Sequence, residues 1–212
     1  MTDSHKLYKQ NYVDKDFERL ELFVLLQERY GIESALYPGS YVHVTPSFVF
    51  PLTVYVDTDK RAKRFFENPW TREFVEQNKS CDEKPTIRFH HQDYSEILPE
   101  EPASFDLLIS QWAGFVSRSC KRYLKPGGLL LVNDSHGDAS LASIDEDYRF
   151  VAAVITRGEK YRLNEVELEE YFVPKTDIEI TPEYLFSIQR GVRYKRTAWA
   201  YLFRTWDRFF KA

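Results

Sequence analysis

Phe105-Asp106-Leu107-Leu108-Ile109-Ser110 and, further on, Tyr123-Leu124-Lys125-Pro126-Gly127-Gly128-Leu129-Leu130-Leu131-Val132 are the two stretches whose reading decides the fold. Each carries an unbroken apolar run with little polar alternation, as expected of a strand covered on both faces. Phe105 to Ile109 reads as a strand behind Pro102, and Lys125-Pro126-Gly127-Gly128 reads as a turn into the strand Leu129 to Val132. Between them Phe115, Val116, Cys120 and Tyr123 share one face of a helix lying between Ala113 and Leu124. Buried strand, helix, buried strand is a βαβ unit, right-handed and parallel.

Upstream the same alternation repeats. A helical stripe of Phe17, Leu20, Phe23, Val24 and Leu26 predicts a helix over Asp16 to Tyr30, stopped by Gly31. Ala35-Leu36-Tyr37 reads as a first strand and Leu52 to Val56 as a second. Pro46 and Pro51 leave room for only an irregular loop with at most one helical turn from Tyr41 to Pro51. Helices are expected over Asp59 to Glu67, capped by Thr58 or Asp59, and over Thr71 to Gln77, before a third strand at Thr86 to Phe89. The pattern predicts an α/β fold, a doubly wound, mostly parallel Rossmann-like sheet over about residues 32 to 134. Beyond Asp138, Phe150 to Ile155 and Lys160 to Leu163 flank Thr156-Arg157-Gly158-Glu159 as a hairpin. Glu165 to Phe172 and Pro182 to Arg190 read as helical, and Ala198 to Trp206 as a final, antiparallel C-terminal strand. Without a linker or repeat, residues 1–212 are expected to form a single domain.

Aromatic residues make up 16% of the chain, which points to an aromatic-rich core or ligand cleft. A net charge of -4 gives no global attraction to phosphate backbones or anionic lipid, so nucleic acid is not an expected partner. The start of the chain, Met1 to Asp14, is polar, and no apolar stretch approaches the roughly 20 residues that span a bilayer. A cytoplasmic protein is expected, with Cys81 and Cys120 as reduced thiols. His90 and His91, adjacent on a strand, point to opposite faces and make poor joint ligands, so no metal is expected.

Open parallel sheets bind ligands outside the carboxyl ends of their strands. Those ends carry Tyr37-Pro38-Gly39-Ser40-Tyr41, Asp57-Thr58-Asp59, Asp93-Tyr94, Ser110-Gln111-Trp112 and Asn133-Asp134-Ser135-His136. Asp57 ends its strand directly after the first βα connection, where an acid accepts both hydroxyls of a ribose; capping the next helix is the other role that suits it. Asp134 and His136 are the candidate catalytic pair, the imidazole taking a proton from an oxygen or nitrogen nucleophile, although the same residues also suit a plain turn. Gln111 is placed to touch a ligand at the end of its strand, whereas Trp112 suits packing. Basic and aromatic residues interleave from Gln189 to Lys211, a pattern that binds single strands of nucleic acid but equally builds a strand packed on both sides.

The two stretches quoted first, with the acids at 57 and 93, resemble class I S-adenosylmethionine-dependent methyltransferases over about residues 32 to 134. The resemblance implies S-adenosylmethionine as cofactor, Asp57 as the ribose-binding acid and Asp93 as the polar residue that receives the adenine amino group. It also places Gly39 on the first of three spaced loop glycines, with Tyr37 in place of the preceding acid and Tyr41 and His43 at or near the other two. Tyr37, Ser40 and Tyr41, with hydroxyls and rings, are then the cofactor contacts of that loop, joined by Thr58 and Tyr94 at the neighbouring strand ends. Ser110-Gln111-Trp112-Ala113-Gly114 lacks the Asn-Pro-Pro-Tyr type of signature that relatives acting on planar amide or base nitrogens carry, which tells against those classes; methyl transfer to a small molecule of unknown identity is the leading expectation. A binding module that kept the sheet without the cofactor is the alternative; a nicotinamide oxidoreductase would want a glycine-rich fingerprint that this loop lacks.

Overall fold

A computed structural model describes residues 3–80, 84–157 and 160–206. They fall into two compact units, up to Leu98 and from Pro99 onward.

The first unit holds three parallel strands in the order β3-β2-β1, with β1 Ser34–Pro38, β2 Leu52–Val56 and β3 Thr86–His90. The Tyr41 to Pro51 connection contains only the 3-10 turn Thr45–Phe48, as Pro46 and Pro51 dictate. Helix α3, Lys60–Glu67, starts where Asp59 accepts the Arg61 N–H at 2.6 Å, and it buries Ala62, Phe65 and Phe66. Phe66 stacks on Tyr55 of β2 at 4.5 Å and on Phe89 of β3 at 4.8 Å, which fixes the helix over those strands. Helix α4, Pro69–Asn78, follows at once: Asn68 stays extended before the proline, ending one helix and capping the next.

Two features of this unit differ from expectation. The second helix, α2, spans Leu20–Tyr30 and not Asp16–Tyr30, because Asp16 and Arg19 take left-handed conformations with φ of 52° and 58°. Its buried face is Leu22, Phe23 and Leu26, while Phe17 lies before the helix under the Arg19 guanidinium and Leu20 is exposed. The polar N-terminal segment, for which no element was expected, forms helix α1, Asp3–Asn11.

In the second unit the strand order is β4-β5-β8-β6-β7: β4 Phe105–Ser110, β5 Leu124–Val132, β6 Tyr148–Arg157, β7 Lys160–Asn164 and β8 Ala200–Thr205. β4 and β5 pair in parallel, and β8 is antiparallel to both β5 and β6. The expected turn Lys125-Pro126-Gly127-Gly128 lies inside β5 as an irregularity, since the register jumps from Phe105 opposite Leu124 to Leu107 opposite Leu129. The connecting helix α5 is short, Val116–Cys120, and closes in the 3-10 turn Lys121–Tyr123, with Val116, Cys120 and Tyr123 buried as the helical face required. Helix α6, Asp138–Ser143, was not foreseen, whereas α7, Pro182–Ile188, was.

Glu165 to Phe172 is not a helix but the single 3-10 turn Leu168–Glu170. Tertiary packing overrides its helix-forming composition: Tyr171 bridges to Arg196, and Phe172, at φ 57°, packs its ring on Tyr201 at 4.6 Å and Tyr194 at 5.1 Å. Ala200, Tyr201, Leu202 and Phe203 of β8 are all buried, so this strand is packed on both faces. Gly158, Glu159, Cys81, Arg208 and Lys211 lie outside the described residues. Among the described residues no helix is long and apolar enough to cross a membrane.

Candidate functional site

In the first unit the chain turns at Gly39, where φ is 64°, and the Gly39 N–H reaches back to the Val56 carbonyl at 2.7 Å. Asp57, at the end of β2, points its carboxylate onto this bend: Oδ2 accepts the Tyr41 N–H at 2.7 Å and Oδ1 accepts the Asp59 N–H at 2.7 Å. Tyr41 therefore holds a left-handed conformation, φ 48°, tied down by a charge-assisted hydrogen bond that offsets the cost of that conformation. Its ring is half-buried beside the Arg61 guanidinium, 5.1 Å from the ring centre. The bend keeps the backbone course of a glycine loop at a position where the side chain is tyrosine.

The inner side of the bend is packed. Tyr37 and His43 are buried, and the His43 Nε2 lies 2.9 Å from the Glu18 carbonyl, which can only accept. Nε2 therefore carries the proton, and Nδ1 accepts from the Tyr37 hydroxyl at 3.1 Å. Burial, with the Arg19 charge nearby, holds the His43 pKa well below the usual imidazole value, so the ring stays neutral. Tyr12 stacks on it at 4.5 Å. Ser40 is buried as well. Thr58 is exposed, and its carbonyl accepts from His91 Nε2 at 2.9 Å. Asp93, also exposed, accepts the Ser95 N–H at 2.8 Å, a bond that holds its carboxyl below the usual range, and half-buried Tyr94 follows it. The structure thus brings Gly39, Tyr41 and Asp57 together, with Tyr37 and Ser40 turned into the protein.

In the second unit Gln111 is buried at the end of β4, and Trp112 is 44% exposed. Asp134 is committed to the backbone after β5: it accepts the Ser140 N–H at 2.8 Å, the Ser140 hydroxyl at 2.8 Å and the Val192 N–H at 3.2 Å. Burial raises its pKa above the usual carboxylate value. His136 is exposed, and among the described residues no hydrogen bond joins it to Asp134. Gly191 passes so close that a Cβ there would stand 2.2 Å from the Asp134 carbonyl oxygen and 2.7 Å from its Oδ2. Gly191→Ala is accordingly expected to cost about 1–3 kcal/mol through forced backbone displacement, read as a lowered thermal midpoint. An unchanged midpoint would show that the segment yields freely.

Sequence reasoning missed the most deeply buried acid here. Asp138 is 2% exposed and accepts the Ser117 hydroxyl at 2.5 Å, the Ser117 N–H at 3.1 Å and the Ser110 hydroxyl. Burial pushes its pKa up to about 6. Only the serines at 110 and 117, far along the chain, could have signalled it.

No protein-family model and no curated protein matches the sequence. Solved structures do. The N-methyltransferase NodS from Bradyrhizobium japonicum superimposes with TM-score 0.50 at 12% identity, over 78% of this chain and 94% of NodS. The chain spans about half the length, 55% and 54%, of a Bacillus halodurans protein assigned as a methyltransferase and of the YcgJ protein from Bacillus subtilis. Those two match 58% of this chain at 17% and 19% identity, each with TM-score 0.41. With its parallel strands, its antiparallel C-terminal strand and the match along nearly all of NodS, this chain has the class I methyltransferase fold.

Proposed function

We propose that the protein binds S-adenosylmethionine and directs methyl transfer to a small-molecule acceptor. The observation that carries this reading is the Asp57 carboxylate, which closes β2 and is turned onto the bend at Gly39. Each of its oxygens takes one backbone N–H, so each keeps a lone pair, and a ribose diol needs two acceptors side by side. The residues present fit the nucleoside half of the cofactor: Asp57 for the ribose hydroxyls, with Asp93 and Tyr94 for the adenine and exposed Thr58 beside them. The shared fold with NodS, which was solved with S-adenosyl-L-homocysteine, supports the assignment. When bound, the cofactor supplies an electrophilic methyl group on a sulfonium. The chain's part is to position and desolvate, and His136, exposed after β5, is the imidazole proposed to take the acceptor's proton.

A second reading rests on one observation, the packing of Tyr12, Tyr37 and His43 where loop glycines would leave open backbone. It makes the protein an interaction module that kept the fold without the cofactor. Titration calorimetry with S-adenosylmethionine and S-adenosylhomocysteine separates the two. The expected result is saturable heat, weakened at least tenfold by Asp57→Ala, a loss of about 1.4 kcal/mol or more. Because Asp57 also tethers Tyr41, Asp57→Asn, which keeps one carbonyl acceptor, serves as the folded control. Absence of heat and of any thermal shift in the wild type selects the module; undiminished binding in Asp57→Ala removes Asp57 from the site while leaving the reaction class standing.

A further inference from the structure

We propose that the cleft beside Asn133 in the second unit takes a planar aromatic molecule, not an anion, that carries a hydrogen-bond acceptor on its edge. The inference goes beyond the cofactor reading and does not depend on it, since all the residues that build it belong to the C-terminal unit. The cleft has a volume of about 290 Å³. That is at the lower end of small-molecule sites, enough for a mono- or bicyclic ring.

Asn133 supplies the polar contact. It follows β5, is 6% exposed, and lines the cleft. One end of its amide faces three donors, the Ser135 hydroxyl at 2.9 Å, the Ser135 N–H at 3.3 Å and the Trp112 N–H at 3.4 Å. A backbone N–H can only donate, so the atom that meets them is the carbonyl oxygen, and the amide orientation is settled by its neighbours. The NH2 end therefore faces away from them, buried and without a hydrogen-bond partner among the described residues. A buried amide donor left unmade is uncommon in folded proteins and calls for a reason. A ligand acceptor in the cleft provides one.

The walls select the rest of the molecule. Trp112, Trp199 and Tyr201 line the cleft, with Trp112 and Trp199 meeting edge to face at 6.0 Å and Tyr161 standing against Trp199 at 5.2 Å. Such an angled pair presents one face and one edge to a third ring. The one carboxylate in the wall, Asp134, accepts from the Ser140 N–H and hydroxyl and from the Val192 N–H, and among the described residues no cation joins it in the lining, so the cleft disfavours an anion.

Quinoline and naphthalene test this directly, because they share one shape and differ by a ring nitrogen that accepts a hydrogen bond. Binding is followed by titration NMR on protein carrying 15N-asparagine. The expected result is that quinoline binds roughly tenfold more tightly than naphthalene. It is also expected to shift one side-chain NH2 pair, the pair that is missing from Asn133→Asp. That variant, which keeps the oxygen facing Ser135, should bind the two probes alike, and Trp199→Leu should weaken both while keeping their ratio. Equal affinities in the wild type, no binding at millimolar probe, or a shift confined to other asparagines overturns the proposal. The wild-type shift decides the matter even if a variant does not fold. Failure of S-adenosylmethionine binding leaves this outcome untouched.

Discussion

Tyr8→Ala is expected to destabilise the first unit by about 3–5 kcal/mol, the range for removing a large aromatic side chain from a packed core. Tyr8 is the one large side chain of α1 that is fully buried, and its ring meets Phe74 at 5.2 Å, Tyr12 at 5.5 Å, and Phe48 and Phe65 at 6.4 Å. Its hydroxyl donates to Glu18 Oε1 at 2.6 Å; having a single proton, it must then accept from the Thr45 hydroxyl at 2.8 Å. Truncation therefore opens a cavity and strips a carboxylate and a hydroxyl of a partner at once. Tyr8→Phe, which keeps the ring, is expected to lose only about 1–2 kcal/mol. Urea unfolding of the three proteins gives both numbers. A Tyr8→Ala protein within about 1 kcal/mol of wild type would mean that α1 does not hold the 3-10 turn and α4 together as described.

That helix also marks where the sequence stops being readable. Between Asp3 and Asn11 only His5, Leu7 and Tyr8 are apolar or aromatic, too few to make a stripe, and the helix is held by what its rings touch: His5 stacks on Trp70 at 5.2 Å while Tyr8 enters the aromatic cluster. By contrast α3 was legible because its cap, its buried face and its stop are all written locally in Asp59, in Ala62, Phe65 and Phe66, and in Asn68-Pro69. The buried strands were legible for the same reason. Glu165 to Phe172 failed in the opposite direction: local composition favours a helix, but two aromatic side chains gain more from burial against β6 and β8 than the backbone gains from another turn.

The candidate site divides the same way. Asp57 was readable because its position at a strand end is a matter of spacing, and its carboxylate does face the bend that spacing pointed to. The conformation of Tyr41 was not, since nothing in Gly39-Ser40-Tyr41 reports that a carboxylate from the next strand will hold a tyrosine at positive φ. Asn133 and Asp138 were hidden for a further reason. In Asn133-Asp134-Ser135-His136-Gly137-Asp138 every residue is a common turn former, and which of them is buried depends on partners at 110, 112, 117 and 192.

Asp138 gives the second large effect, and its direction is opposite to that of an ordinary ion-paired acid. Burial raises its pKa to about 6 in the folded protein against 3.8 for an unperturbed carboxyl, so between those values the native state holds a proton that the unfolded chain has released. Stability from this group is complete below about pH 4 and is lost as pH rises through 6, a change of about 3 kcal/mol. Asp134, also raised by burial, contributes with the same sign, while His43, held neutral, contributes with the opposite one, losing stability as pH falls through 6.5. The comparison that isolates Asp138 is therefore wild type against Asp138→Asn. Asparagine reproduces the protonated acid: its oxygen can accept from Ser117 and its NH2 can donate to the Ser110 hydroxyl, which has only to rotate. Measured by urea unfolding, the stability difference is expected to move by about 3 kcal/mol in favour of Asp138→Asn between pH 4 and pH 7.5. A difference that stays flat across that window would mean that Asp138 is ionised throughout, its charge carried by the Ser110 and Ser117 hydrogen bonds alone.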